Sequence, residues 1–266
     1  ICAGGVNSKE CTLILTEGDS AKTFAISGLT IVGRKYYGVF PLRGKLLNAR
    51  EATVKQLIEN EEINSLKQIL GIVTGKEYKS TSELRYGKIM ILTDADQDGA
   101  HIRSLIINFI SCLYPSLLKL EFLQILKTPI VIVSKGKIIK EFFTEQDYHK
   151  WKLSTPNSHS FNVKYFKGLG TSKKIDAQNI FKRLKELIVN YYRKDDKCDE
   201  AILLAFDKDK NKKKIKIKED ISEDSDEDSQ VSVSCTDRRK QWLSNYDKNS
   251  YINVNENRVS FQDQIN

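Results

Sequence analysis

Along the first 120 residues, short apolar runs alternate with longer segments that have the pattern of helices. Runs of four to six apolar residues that end abruptly are typical of buried strands. We predict strands at 11–16, 37–40 and 88–93. We predict helices at 20–27, 52–70 and 101–114. Pro41 is expected to stop the second strand, and the second helix is expected to break near Glu62. Strands that alternate with helices indicate an α/β fold, a parallel sheet flanked by helices.

The pattern changes after Leu120, where strands follow one another more closely. We predict strands at 122–127, 130–133, 137–143 and 161–166. Lys135-Gly136 is expected to form a tight turn between two of them, which indicates a hairpin. We predict a short helix at 145–153 and a long amphipathic helix at 175–192. This second region is therefore expected to be an α+β extension of the first.

One stretch carries blocks of like charge that cannot form a packed core. Residues 207–218 include seven lysines, and residues 219–228 include seven acidic residues and no basic ones. Such blocks repel themselves and bury nothing, so we predict a disordered loop at 207–236. A helix is predicted to begin at Asp237. The chain is therefore predicted to consist of a lead-in at 1–10, a first domain at 11–128, its extension at 129–206, the charged loop at 207–236 and a connector at 237–266.

Composition narrows the class of partner and the compartment. The net charge of +8 and the isoelectric point near 9.0 favour a polyanion such as nucleic acid, although a merely basic soluble protein has the same charge. Five scattered cysteines and three histidines argue against a zinc site or a disulfide framework and favour a reducing compartment. No apolar run approaches the roughly 18 residues that a membrane helix needs. Because the sequence opens on Ile1, we expect a piece of a longer protein.

Acidic residues follow two of the predicted strands at the point where each strand ends. Glu17 follows the first strand, and Asp94, Asp96 and Asp98 follow the third. Functional groups gather beyond the carboxyl ends of strands in an open parallel sheet, so these side chains are expected to converge if the two strands are neighbours. Clustered carboxylates repel one another unless a cation compensates, and their hard oxygen atoms suit Mg²⁺. The alternative is that they cap helices, which we favour for Asp19.

The motifs around these acids identify a family resemblance. They are Leu-Thr-Glu-Gly-Asp-Ser-Ala at 15–21 and Asp-Ala-Asp-Gln-Asp-Gly at 94–99, and together they resemble the TOPRIM module of topoisomerases, primases and some nucleases. Gly-Val-Phe-Pro-Leu-Arg-Gly-Lys-Leu-Leu-Asn at 38–48 and Tyr-Phe-Lys-Gly-Leu-Gly-Thr-Ser at 165–172 resemble type IIA DNA topoisomerases of the eukaryotic or large-virus kind. Asp-Arg-Arg-Lys-Gln-Trp-Leu at 237–243 fits the segment before that family's winged-helix domain. The resemblance implies a TOPRIM (Rossmann-like) parallel sheet.

The resemblance also assigns roles to individual residues. It implies that the catalytic residues Glu17, Asp94 and Asp96 bind two Mg²⁺ ions and that Asp98 supports them. It implies DNA contacts for Arg43, Lys45, Asn48, Lys167 and Gly168. Basic side chains can neutralise phosphates, and glycine permits close backbone approach. The alternatives are a solvated surface loop at 43–45 and a plain turn at 167–168.

The family reaction implies parts that this sequence does not supply. In the family, a tyrosine of the winged-helix domain attacks DNA and a separate domain hydrolyses ATP, so we expect the chain alone neither to relax DNA nor to bind ATP. The whole enzyme is expected to act as a homodimer on double-stranded DNA, in the nucleus or at a viral site in the cytoplasm. Arg85-Tyr86 superficially resembles an arginine–tyrosine nucleophile motif, but it lies just before a predicted strand, so we interpret it as structural. The alternatives are a free-standing TOPRIM nuclease that uses water and a non-catalytic DNA-binding module whose acids only cap helices.

Overall fold

The fold is built on two sheets. A computed structural model describes residues 2–207, 235–245 and 257–266. Its strands are β1 (Thr12–Glu17), β2 (Tyr37–Leu42), β3 (Lys88–Leu92), β4 (Leu123–Leu126), β5 (Val131–Lys135), β6 (Ile138–Phe142), β7 (Asn162–Tyr165), β8 (Ile188–Tyr192) and β9 (Arg258–Ser260). The larger sheet has the order β2-β1-β3-β4-β8-β9 and the smaller one the order β6-β5-β7. The first four strands of the larger sheet are parallel, whereas β8 runs antiparallel to β4.

Helices cover both faces of the larger sheet, and one further helix packs on the smaller sheet. They are α1 (Gly18–Val32), α2 (Val54–Glu59), α3 (Glu61–Leu70), α4 (Gln97–Leu113), α5 (Pro115–Leu118), α6 (Glu145–Ser154), α7 (Lys174–Lys182), α8 (Leu184–Leu187), α9 (Lys197–Phe206), α10 (Cys235–Ser244) and α11 (Phe261–Ile265). Leu13 and Leu15 point into a core shared with α3, α4 and α9. Ile14, Met90 and Leu92 point into a second core shared with α1, α7 and α8. The predicted α/β class is therefore confirmed.

The smaller sheet has its own core. Val131 and Val133 are buried against Tyr148 and Trp151 of α6 and against Phe142. The opposite side of this sheet is joined to α7 by ion pairs such as that between Lys164 and Asp176. The smaller sheet is thereby fixed beside α7, which itself packs on α1.

Two predicted elements differ from the observed ones. Strand β2 continues through Pro41 to Leu42, because β2 is the edge of the sheet and proline is tolerated where one side of the backbone has no partner strand. The predicted helix at 175–192 is wrong beyond Leu187. Residues 188–192 form β8, whose buried Val189 and Tyr191 alternate with half-buried residues, because pairing with β4 overrides the helical pattern.

The other predicted elements are confirmed with shifted ends. Helix α1 begins at Gly18 and α4 at Gln97, each closer to the acidic residues than predicted, and the break between α2 and α3 lies at Asn60. A helix does include Asp237. The predicted disordered loop at 207–236 lies almost entirely outside the described residues, and the division into domains stays a prediction. Among the described residues, none of the helices has the length and apolar character that crossing a bilayer requires.

Candidate metal centre and DNA-binding surface

Two neighbouring strands bring Glu17 and Asp94 together. Strand β1 pairs in parallel with β3, with Thr16 opposite Leu92, so both strands end at the same edge of the sheet. The backbone N–H of Asp94 donates to Glu17 Oε2 at 3.3 Å. Parallel pairing of these two strands is therefore the local cause of the convergence expected from the sequence.

Asp96 and Asp98 lie at the start of α4. Asp96 is the N-cap residue, and its Oδ1 accepts from the backbone N–H of Gly99 at 2.8 Å. Asp98 lies in the first turn, where a negative charge favours the helix dipole. The capping interpretation therefore holds for Asp96, but one oxygen of a carboxylate can cap while the other remains available. Asp19 is not a cap, since its exposed carboxylate pairs with Lys22.

The extension closes over the same carboxylate edge. The backbone N–H of Leu169 donates to Asp94 Oδ1 at 2.8 Å. A Cβ atom on Gly168 would lie 2.5 Å from Asp94 Oδ2, so only glycine fits at this position without movement. The motif at 165–172 therefore contacts a carboxylate that the sequence analysis assigned to the metal.

Negative charge is concentrated around Glu17. Burial raises the pKa of Glu17, the hydrogen bond from Asp94 N–H lowers it, and the charges of Asp94, Asp96 and Asp98 raise it further. The pKa of Asp98 is instead lowered by a hydrogen bond from Lys45, whose Nζ lies 2.8 Å from Asp98 Oδ1. The net effect is a raised pKa for Glu17, which a nearby cation would lower.

The donor set fits a hard divalent cation, although the side chains are not gathered around one point. Within the described ranges, no three His, Cys, Asp or Glu side chains are arranged as a ready-made metal site. All four acids supply carboxylate oxygens, the ligands that Mg²⁺ prefers, and Mg²⁺ usually takes only one or two of them and fills its other positions with water and phosphate. A complete protein cage is therefore not required.

The predicted DNA-binding cations are exposed, and Arg43 and Lys45 pair with acids. The guanidinium of Arg43 lies 3.3 Å from Glu61 Oε2, and the backbone N–H of Arg43 donates to Glu62. Lys45 pairs with Asp98 as described, and Lys167 is exposed. The loop at 43–45 therefore presents cations beside the acidic edge.

Asn48 is occupied within the protein. Its Oδ1 accepts from Asn108 Nδ2 at 2.8 Å, and its Nδ2 donates to the carbonyl of Phe206 at 3.1 Å. Arg50 extends this network with bonds to Asn108 and Ser111. The amide of Asn48 thus anchors the loop to α4 and α9, and its predicted contact with DNA stays a prediction.

Sequence reasoning missed Arg103, which lies behind the acidic edge. Its Nη1 donates to Thr93 Oγ1 at 2.7 Å and to the carbonyl of Asp94 at 3.3 Å. The available signal was an arginine between the buried residues Ile102 and Ser104 of an apolar helix. Such a residue needs internal partners, because a charge in an apolar setting is costly unless it is hydrogen-bonded.

Glu17→Gln is expected to raise the melting temperature of the metal-free chain at pH 7 by roughly 2–3 °C, or about 1 kcal/mol. The folded pKa of Glu17 lies above its ordinary value, so stability falls as pH rises from that ordinary value through the raised one. Above this window the native carboxylate carries the full destabilisation, and glutamine does not. Thermal melts in chelator at several pH values test this, and the difference must vanish below the ordinary Glu pKa. A variant that melts lower at pH 7 contradicts it.

Comparisons with known proteins give the family. Residues 12–127 match the Toprim domain, and residues 126–234 match the C-terminal associated domain of TOPRIM. The chain is 49% identical over 247 residues to DNA topoisomerase 2-alpha of Homo sapiens, which covers 92% of this chain. It belongs to the type II DNA topoisomerase family.

This chain also matches a viral type II topoisomerase and a solved structure of the family. The chain is 42% identical over 291 positions to DNA topoisomerase 2 of Acanthamoeba polyphaga mimivirus, covering 99% of this chain. A structure of the Plasmodium falciparum topoisomerase II DNA-binding, cleavage and re-ligation domain matches 99% of this chain and 33% of that chain, at 41% identity with a TM-score of 0.84. The chain spans 14% of the length of the human relative and 23% of that of the viral one. Type II topoisomerases with a Toprim domain use divalent metal in general, and they act on DNA.

Proposed function

We propose that this chain is the magnesium-binding part of an ATP-dependent type II DNA topoisomerase, which transiently cleaves and religates double-stranded DNA. The observation that carries the proposal is the convergence of Glu17 and Asp94 at the ends of adjacent parallel strands, with the pKa of Glu17 raised by burial and by the surrounding acids. Perturbed carboxylates at the carboxyl end of a parallel sheet are a physical pointer to a working site. The membership of the family supplies the reaction class.

Glu17 and Asp94 would hold one Mg²⁺, and Asp94 with Asp96 a second, with Asp98 in support. When bound, the metal stabilises the negative charge that develops on the attacking and leaving oxygens of phosphodiester transfer. The chain's own contribution is placement. Leu169 N–H holds the Asp94 carboxylate, Gly168 leaves room for it, and the Gly99 N–H holds Asp96.

DNA would lie across the edge that carries Arg43, Lys45 and Lys167. These three side chains are exposed, and Arg43 and Lys45 already lie beside carboxylates that a phosphate can replace. Gly168 would let the backbone approach a phosphate closely, and Asn48 would support the loop that carries Arg43 and Lys45.

The remaining parts of the reaction would come from the rest of the enzyme. The nucleophilic tyrosine and the ATPase would belong to segments outside this chain. The enzyme would act as a homodimer in which the partner subunit completes each metal site. Tyr86 does not serve as the nucleophile, since it is buried and lies against Gly38 in the core. The eukaryotic relatives favour the nucleus, and the viral relative leaves a cytoplasmic site as an alternative.

Supercoiled plasmid separates this proposal from a free-standing nuclease. The chain with Mg²⁺ is expected to leave the plasmid intact, whereas the full-length enzyme with Mg²⁺ and ATP relaxes it and loses that activity on Glu17→Ala. If the chain alone cuts the plasmid and its Glu17→Ala variant does not, a nuclease that activates water replaces the proposal.

Lys45→Met is expected to reduce the salt dependence of DNA binding by about one unit of the slope of log affinity against log salt, with weaker binding at low salt. The reason is that one fewer phosphate is neutralised. Fluorescence anisotropy of labelled duplex DNA over a salt series measures the slope. Lys55→Met is the matched control, because Lys55 is an exposed lysine on α2. Equal slopes for the two variants contradict a phosphate contact by Lys45.

A further inference from the structure

A buried polar network lies directly behind the loop at 93–96, which we call the acidic loop. Arg103 of α4 donates two hydrogen bonds to this loop, one to the side chain of Thr93 and one to the carbonyl of Asp94. Thr93 is 5% exposed, so its hydroxyl has few partners other than Arg103 and the carbonyl of Gly99. Arg103 touches neither carboxylate oxygen of Asp94 in these contacts, and it acts on the backbone that carries them.

The same arginine is connected to the C-terminal helix α11. Its Nε donates to Gln264 Oε1 at 3.4 Å, and the same oxygen accepts from the hydroxyl of Tyr191 at 2.5 Å. Gln264 Nε2 donates to Ser104 Oγ at 3.3 Å and to the carbonyl of Ala100 at 3.5 Å. The side-chain amide of Gln264 therefore accepts two hydrogen bonds and donates two, which uses its full hydrogen-bonding capacity. These bonds fix α11 against the first turns of α4.

Burial makes this connection stiff. Tyr191 is fully buried, and Gln264 is 7% exposed. Burial raises the pKa of Tyr191, so its hydroxyl stays protonated and donates. Its ring stacks on Phe261 of α11 with centroids 5.8 Å apart. Buried networks in which every member is satisfied hold their members in one geometry, and breaking one bond leaves a buried group unpaired.

We propose that Arg103 and Gln264 are positioning residues that tie the acidic loop to α11, so that docking of α11 sets the affinity of the acidic site for a divalent cation. The inference rests on the proposed metal site. Groups that orient metal ligands without touching the metal commonly change metal affinity 10- to 100-fold when they are removed. Arg103 fits that description because it binds the backbone carbonyl of Asp94, whereas Leu169 N–H binds the carboxylate of the same residue.

A purely electrostatic role for Arg103 predicts the opposite result. A guanidinium near a cation site repels the cation, so its removal would tighten metal binding. Positioning predicts weaker binding on removal, because the acidic loop loses its support. The sign of the change therefore separates the two roles without any measurement of catalysis.

The test is the affinity of the 266-residue chain for Mn²⁺. Electron paramagnetic resonance measures the concentration of free Mn²⁺ during the titration. Arg103→Gln is expected to weaken Mn²⁺ binding on the order of 10-fold, and Arg103→Lys to restore part of the loss, since lysine keeps a positively charged donor group. Gln264→Leu is expected to weaken binding in the same direction. Gln262→Leu is the matched control on the same helix and should bind as the native chain does.

The outcomes distinguish this inference from the proposed function. If the native chain binds Mn²⁺ and the Arg103→Gln and Gln264→Leu variants bind it equally well or more tightly, the coupling is wrong while the metal site stands. If the native chain binds no Mn²⁺, the proposed metal site fails and the coupling fails with it. Circular dichroism checks folding, and if Arg103→Gln does not fold, Arg103→Lys and Gln264→Leu decide by the same criterion.

Discussion

Glu17→Gln is expected to lower the rate of DNA relaxation by the full-length enzyme on the order of 100-fold, because a metal ligand is worth several kcal/mol of transition-state stabilisation. Glutamine keeps the volume of the side chain and an oxygen that accepts the Asp94 N–H, but it removes the charge that attracts the metal. Relaxation of supercoiled plasmid at saturating Mg²⁺ and ATP measures the effect.

The control for this loss is the same chemical change at the other end of β1. Glu10→Gln removes one negative charge from an exposed position just before that strand, and it should leave relaxation unchanged. The thermal melts of Glu17→Gln show whether the variant stays folded, and a loss of activity in a folded variant is ascribed to the metal site. Relaxation at the native rate by Glu17→Gln would remove Glu17 from the metal site.

Gly168→Ala is expected to reduce DNA cleavage by the full-length enzyme at least about 10-fold, since a displacement near 1 Å at a reacting centre can cost 100-fold. The added Cβ would lie 2.5 Å from Asp94 Oδ2 and 3.1 Å from its Cγ, so the carboxylate or the loop at 166–170 must move. The backbone of Gly168 is extended, which alanine also adopts, so the effect is steric. Single-turnover cleavage of a labelled duplex measures it.

Two further measurements isolate the cause. Gly5→Ala places a Cβ at an ordinary contact of 3.4 Å from the carbonyl of Cys2 and should cleave normally. DNA affinity of Gly168→Ala in chelator measures separately whether the added methyl group also obstructs the proposed approach of the backbone to a phosphate. Cleavage at the native rate would mean that the loop at 166–170 yields without disturbing Asp94.

The acidic edge was predictable because its causes are local. A strand that ends at Glu17 and another that ends before Asp94 can be recognised from short apolar runs, and the topology of a parallel sheet does the rest. Strand β8 was not predictable in the same way. The chain passes from α8 into β8 at Ile188 without a glycine or proline, and its strand conformation comes from pairing with β4, more than 60 residues earlier.

Side-chain partners were the least predictable part of the site. The amide of Asn48 suits a phosphate or another amide equally well, and Asn108, far along the chain, decides which one it meets. Arg103 likewise receives its role from Thr93 and from Gln264, the latter 161 residues away. The sequence specifies the chemistry of such groups, while the fold specifies which of them meet.

Because the chain is synthesised from its N-terminus, the strands of the larger sheet do not all become available at the same time. Strand β8 pairs with β4 on one side and with β9 on the other, and β9 is drawn from residues 258–260. A nascent chain that has emerged only as far as α10 therefore still lacks the strand that covers β8, and an uncovered edge strand readily pairs with other chains. The larger sheet is therefore completed only after residues 258–260 have left the ribosome.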